Sequence, residues 1–210
     1  MQIGIWGVTG GVGSNLAQVA LEKNHRVVGI ARNPAKVKIQ HPNLIVKSSS
    51  STDIDAMTKA LKGCDVAVST IGGGGFGQMR KPTSVYSDSA KTMLAAMRAN
   101  GMDRIIAVTA GGIVEQDDWP WYYRNIVHPM LKEMYNDMHR MEDTIKSASV
   151  RHLFVRPVGL TDGNRTGIYR TREELTPPKG ARISRADVAD YILKRIEADD
   201  YTSGGIVIAY

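Results

Sequence analysis

Short apolar runs alternate with amphipathic stretches along the chain. QIGIW (2–6), RVVGIA (26–31), NLIVK (43–47), DVAVSTI (65–71), RIIAVTA (104–110) and HLFVR (152–156) are rich in Ile and Val, the pattern of strands buried on both faces. Between them, residues 14–23, 53–62, 83–99 and 127–148 read as helices. SRAD (184–187) is a capping-box pattern with Ser184 as N-cap; it opens a last helix near 185–197, and GGIVIAY follows as a further strand. Strands that alternate with helices pair in parallel through right-handed crossovers. The predicted fold is therefore a doubly wound, mostly parallel α/β sheet with helices on both faces.

The helix at 127–148 carries two stripes. Met134, Met138, Met141 and Ile145 recur at i, i+4, i+7 and i+11, which marks a buried face. Beside it, Tyr135, His139 and Glu142 recur at i, i+4 and i+7, so a phenol and an imidazole lie one turn apart. That pair is a candidate proton-handling site or the edge of a core. Two long connections, about 111–126 and 157–183, follow strand ends and are expected to be binding segments that together supply a small substrate lobe in the C-terminal part of the chain. Trp119, Trp121, Tyr122 and Tyr123 in the first connection suit either a lid over a flat acceptor or an anchor for the next helix.

Composition narrows the class. With 210 residues, 42% hydrophobic and 23% charged, residues 1–210 are expected to form one sizeable soluble domain, and no apolar run approaches the length that spans a bilayer. MQIGIWG starts a strand at once instead of a leader, and Cys64 is the one cysteine, so no internal disulfide forms and a cytoplasmic setting is expected. The net charge of +6 implies an anionic partner. Without a block of basic residues or a nucleic-acid motif, a phosphorylated small molecule fits better than nucleic acid. His25, His41, His128 and His152 do not fall at metal-ligand spacing, so no metal site is predicted. A monomer and a homodimer fit equally well.

GVTGGVG (7–13) follows the first strand and opens the first helix, with Gly7, Gly10 and Gly13 at i, i+3 and i+6. A tight strand-to-helix turn needs residues without Cβ, and a phosphate must come close to the backbone N–H groups there. Placed in a βαβ unit, this is a dinucleotide-binding signal. About 20 residues on, where an NAD site has an acidic residue for the ribose 2′-OH, the chain has Arg32 with Lys36 beyond it. Two cations favour the 2′-phosphate of NADP.

With GVTGGVG, ARN, STIGG, VTAGG, YNDMHRMED and VRPVGL in order, and ISRADVADYIL near the end, the chain resembles an atypical short-chain dehydrogenase/reductase with a Rossmann fold, of the NmrA-like and biliverdin reductase B (flavin reductase) type. The resemblance implies that Gly7, Thr9, Gly10, Val12 and Gly13 wrap the pyrophosphate and that Arg32 contacts the adenosine phosphate. It further implies that Ser69, Thr70, Ile71 and Gly72 line the cofactor, that Thr109 and Ala110 lie near the nicotinamide, and that Arg156, Pro157 and Val158 border the substrate pocket. Many relatives have an Asp touching adenine after the third strand. Here KSSSS stands in its place, and Ser50 and Ser51 are expected to substitute.

Related enzymes also have Tyr, three residues, Lys, two residues, then Glu. Tyr135, His139 and Glu142 match that spacing with His for Lys, so Tyr135, His139 and Thr109 are the catalytic candidates. A His supplies little charge at neutral pH, and Ala110 stands where relatives commonly have the supporting Ser. An intact NADP site beside weakened acid–base chemistry implies hydride transfer from NADPH to a flavin, quinone or similar conjugated acceptor, with FMN or FAD as substrate. The alternatives are a non-catalytic NADP-binding redox sensor of the NmrA-like kind and, last, a nucleotide-sugar epimerase or dehydratase.

Overall fold

The computed structural model describes residues 1–72, 81–114, 119–177, 179–201 and 204–210. The first strand, β1 (Gln2–Trp6), leads through the glycine turn into α1 (Gly11–Glu22), then β2 (Arg26–Ala31) and β3 (Leu44–Ser48). Next come α2 (Ile54–Leu61), β4 (Val66–Ser69), α3 (Val85–Ala99), β5 (Arg104–Val108), α4 (His128–Lys146) and β6 (Arg151–Pro157). Then β7 (Gly159–Thr161), β8 (Arg170–Glu173) and β9 (Arg182–Ser184) precede α5 (Arg185–Glu197) and β10 (Gly204–Ala209). Strand order is β3-β2-β1-β4-β5-β6-β10-β8, parallel throughout except for β8, which runs antiparallel to β10. This is the predicted doubly wound sheet, with its order reversing between β1 and β4.

Strand periodicity sorts the core into two layers. Ile3, Ile5, Val66 and Val68 pack with Leu16 of α1 and Ile192 of α5 on one face. Ala67 and Ala107 pack with Met93 of α3 and with Met138 and Met141 of α4 on the other. Gly4 lets α2 approach, because a Cβ there would lie 2.6 Å from Leu61 Cδ2. Among the described residues no helix is long and apolar enough to cross a membrane.

Several boundaries differ from the sequence expectation. The run 104–110 stops pairing at Val108 and turns at Gly111–Ile113, while 65–71 pairs only over Val66–Ser69. The helix predicted from 127 is preceded by a π-helical turn, Tyr123–Val127. The His128 N–H closes it by reaching the Tyr123 carbonyl, five residues back. Unpredicted β7 and β9 pair in parallel as a small separate sheet, and β8 is an edge strand, RTRE, exposed at every position. A strand with no buried face leaves no alternation to read.

Candidate functional site

A cavity of about 540 Å³ opens at the switch point, beyond the carboxyl ends of β1, β4 and β5. Its floor is the glycine turn. Gly7 has φ +89°, a conformation natural to glycine, and a Cβ at Gly13 would overlap the Gly7 carbonyl oxygen and lie 2.5 Å from Thr70 Oγ1. Thr70 Oγ1 in turn donates to the Trp6 carbonyl at 2.9 Å, tying the end of β4 to the end of β1. The N-cap of α1 is Gly10, which has no side chain to cap with, and the first turn holds no acidic residue. The leading N–H groups of α1 thus present positive partial charge to the cavity that Gly10, Gly11 and Val12 line. That donor set fits a pyrophosphate.

Of the residues expected at the cofactor, Gly7, Thr9, Gly10, Val12, Arg32, Ser51, Thr70, Ile71 and Gly72 line this cavity, as do Thr109, Ala110, Pro157 and Val158. Arg32 lines the cavity, is exposed and makes no ion pair with a described residue. Lys36 is not in the lining: it ends a short 3₁₀ turn that Asn33 caps by accepting from the Ala35 N–H at 3.1 Å. Gly13 serves by packing behind the turn. Ser50 is exposed outside the cavity, Ser51 alone of that pair reaching it. Ser69 also lies outside it: its side chain is buried, and its Oγ has no hydrogen-bond partner among the described residues. The glycine run GGGGFG (72–77), which the sequence offers as a flap at the cofactor or a plain loop, lies outside the described residues from 73 on.

The Tyr135–His139 expectation requires correction. His139 is exposed, and neither residue lines the cavity. The Tyr135 hydroxyl instead meets the Tyr123 hydroxyl at 2.9 Å, in a cluster where its ring lies 5.2 Å from His128 and Trp119 lies 5.0 Å from Tyr123. Burial, then the Tyr123 hydrogen bond, pushes the Tyr135 phenol well above its ordinary pKa, the opposite of an activated acid–base group. Trp119, Tyr123 and His128 do not line the cavity either; they anchor the start of α4. The cavity-facing positions one turn apart on α4 are Met134 and Met138. A one-residue offset on a helix is a rotation of 100°, which spacing within a single helix cannot resolve without knowing what packs against it.

Thr109 lines the cavity, but its hydroxyl donates to Glu142 Oε1 at 2.9 Å. Glu142 is buried and also accepts from Arg156 Nε at 3.0 Å and Nη2 at 2.6 Å, while Arg156 Nη1 reaches Glu174 at 2.5 Å. Arg156 therefore lies behind the pocket in an ion-pair network, instead of bordering the substrate as expected. Burial works against its charge, but the Glu142 and Glu174 carboxylates outweigh that and hold its pKa above the ordinary range.

Several lining residues escaped sequence reasoning, Tyr86, Ser89 and Arg185 among them. Tyr86 and Ser89 of α3 line the cavity together with Met134 and Met138 of α4, and Arg185 of α5 also lines it. The helix pattern of 83–99 and the capping box at Ser184 located their elements but not their facing. Among the described residues, no group of His, Cys, Asp and Glu is arranged to hold a metal ion.

The chain belongs to the NAD(P)H-binding family, whose profile matches residues 7–199. A sequence relative is the uncharacterized sugar epimerase YhfK of Bacillus subtilis, 26% identical over 74% of this chain and 71% of its own. The fold is similar to the oxidoreductase ylbE of Lactococcus lactis, with TM-score 0.82 and 22% identity over 100% of this chain and 90% of that one. It is also similar to ChuY, an anaerobillin reductase from Escherichia coli O157:H7, with TM-score 0.78 and 20% identity over 100% and 97%. A wide-type short-chain dehydrogenase/reductase of Veillonella parvula, in complex with NADP, has TM-score 0.77 and 15% identity over 100% and 94%.

Proposed function

We propose that this protein is an NADPH-dependent oxidoreductase that passes hydride to a flavin, quinone or similar conjugated small acceptor. The observation that carries the reading is the α4 wall of the cavity, where Met134 and Met138 stand in place of a phenol and a cation. NADPH, when bound, supplies the hydride. The N–H groups of Gly11 and Val12 would hold its pyrophosphate, the Gly10 N–H being bonded to the Gly7 carbonyl at 2.8 Å, Arg32 would hold its 2′-phosphate, and Thr70 to Gly72 would border its nicotinamide half.

The acceptor stacks in the inner part of the cavity against Met134, Met138 and Tyr86. Thioethers are polarizable and adapt to the face of a ring system. Such a ring system delocalises the incoming charge, and solvent delivers the proton, so a wall without an acid on α4 is no obstacle. Thr109, with its hydroxyl held by Glu142, lines the cavity without donating to the acceptor. Proximity and orientation are then the contribution of the protein. FMN and FAD enter as acceptors. The whole of 1–210 acts as one domain, and the buried free thiol of Cys64 is in keeping with a reducing cytoplasm.

The ylbE and ChuY neighbours are named as an oxidoreductase and a reductase, which supports this reading. The epimerase name of YhfK points elsewhere, but epimerisation needs strong acid–base groups, and α4 presents none to the cavity. A wall without acid–base groups also admits a second reading, an NADP-binding redox sensor, although a sensor has no need of the apolar acceptor surface that Met134 and Met138 give the cavity. NADPH and NADH consumption against FMN, a short quinone and a simple aldehyde in parallel separates the two. Oxidation of NADPH with the conjugated acceptors alone is expected. Binding of NADPH with no turnover across the panel would make the sensor the better account.

A further inference from the structure

Arg185 is the second cationic side chain on the cavity, and its position is set by the protein rather than by chance exposure. Its backbone opens α5 directly after the Ser184 N-cap, whose Oγ accepts from the Asp187 N–H at 3.0 Å. Asp187 is fully buried and gathers the neighbourhood: it accepts from the N–H groups of Thr166 and Gly167 at 2.8 Å each and from the Tyr210 hydroxyl at 2.6 Å. The β7–β9 pairing, with Thr161 opposite Ser184, then holds the start of α5 beside the cavity. From this rigid base the aliphatic stem of Arg185 lies directly over Gly11, so close that a Cβ at Gly11 would overlap Arg185 Cδ.

The guanidinium itself is engaged by Asp162, Nη1 to Oδ1 at 2.6 Å. That carboxylate is 91% exposed and the Arg185 side chain 29% exposed, so the pair is a weak, solvent-screened one. An anion seated on the N–H groups of the glycine turn, with the helix dipole behind it, offers the same guanidinium a less hydrated partner. Arg32 stands at the far end of β2, and the glycine turn itself carries no cation.

We propose that Arg185 is a pyrophosphate ligand of the dinucleotide site and that Asp162 is its resting partner, displaced when the cofactor enters. This rests on the cofactor part of the proposed function and not on the identity of the acceptor. Arg32 and Arg185 then divide the anionic groups between them: one reads the 2′-phosphate that distinguishes NADPH, the other the pyrophosphate common to both dinucleotides.

The test is equilibrium binding, by titration calorimetry, of NADPH, NADH and 2′-AMP to the wild type and to the Arg185→Met, Asp162→Asn and doubly substituted proteins. Arg185→Met keeps the stem over Gly11 and removes the charge. It is expected to weaken NADPH and NADH by the same factor, on the order of 10- to 100-fold, and to leave 2′-AMP unchanged. Asp162→Asn is expected to tighten both dinucleotides, by up to about fivefold, and to do nothing in the Arg185→Met background. Unchanged dinucleotide binding by Arg185→Met overturns the proposal, as does a loss confined to NADPH or an Asp162→Asn effect that persists without Arg185. A wild type that binds neither dinucleotide overturns the cofactor reading as well, which distinguishes the two failures.

Discussion

Asp137, fully buried on α4, caps α3 from across the core: its carboxylate accepts from the Tyr86 N–H at 2.8 Å and from the Ser87 hydroxyl at 2.6 Å. Ser84, the N-cap by position, makes no side-chain cap bond of its own. The helix that carries Tyr86 and Ser89 into the cavity is therefore anchored by the helix that carries Met134 and Met138. Asp137→Ala takes the carboxylate acceptor from the buried Tyr86 N–H and leaves the Ser87 hydroxyl only its 3.3 Å contact to the Ser84 carbonyl, and is expected to cost about 2 kcal/mol of stability. A urea titration at constant m-value checks this, and the KM for the acceptor is expected to rise while the Kd for NADPH holds.

Tyr135→Phe removes the hydroxyl pair with Tyr123 and nothing that faces the cavity. The expected loss is about 1 kcal/mol of stability, with kcat/KM within about twofold of the wild type. His139→Ala, on an exposed position, is expected to change neither. A fall in kcat/KM of about 100-fold or more for Tyr135→Phe would return that phenol to the chemistry.

Arg32→Asp places a carboxylate where the 2′-phosphate is expected. Affinity for NADPH is expected to fall on the order of 10- to 100-fold while that for NADH changes little or improves. Fluorescence titration with both cofactors decides it, since equal losses would remove Arg32 from the 2′-phosphate.

Burial works to raise the Asp187 pKa, but hydrogen bonds from Tyr210, Gly167 and Thr166 outweigh it and hold the carboxyl below its ordinary range. Glu174 is lowered in the same sense, with the Arg156 guanidinium overcoming its burial. A carboxyl depressed in the folded state stabilises at pH above its unfolded pKa and loses that contribution as pH falls through the folded one. Unfolding midpoints are thus expected to stay level from neutrality to about pH 5 and to drop below about pH 4. Asp187→Asn is expected to lower the plateau and flatten the acid limb. An acid limb as steep as that of the wild type would mean that other carboxyls dominate.

The sheet and the glycine turn were legible in the sequence because both are local. A buried parallel strand is a short apolar run, a helix shows its own period, and a phosphate turn needs glycine at fixed offsets. The place of Arg32 in the cavity lining followed from its distance along the chain. The buried Met134–Met138–Met141–Ile145 stripe was equally plain, since each of its members packs in the core layer that α4 helps to build. What the sequence could not settle was rotation and remote pairing. Tyr135 and Met134 differ by one position, and only the aromatic cluster of Trp119, Tyr123 and His128 decides which of them turns toward the cavity. Arg185 and Gly11, or Asp137 and Tyr86, meet because the crossovers fold distant segments onto one sheet. No periodicity within a single segment records such a meeting; it exists only once the layers have packed.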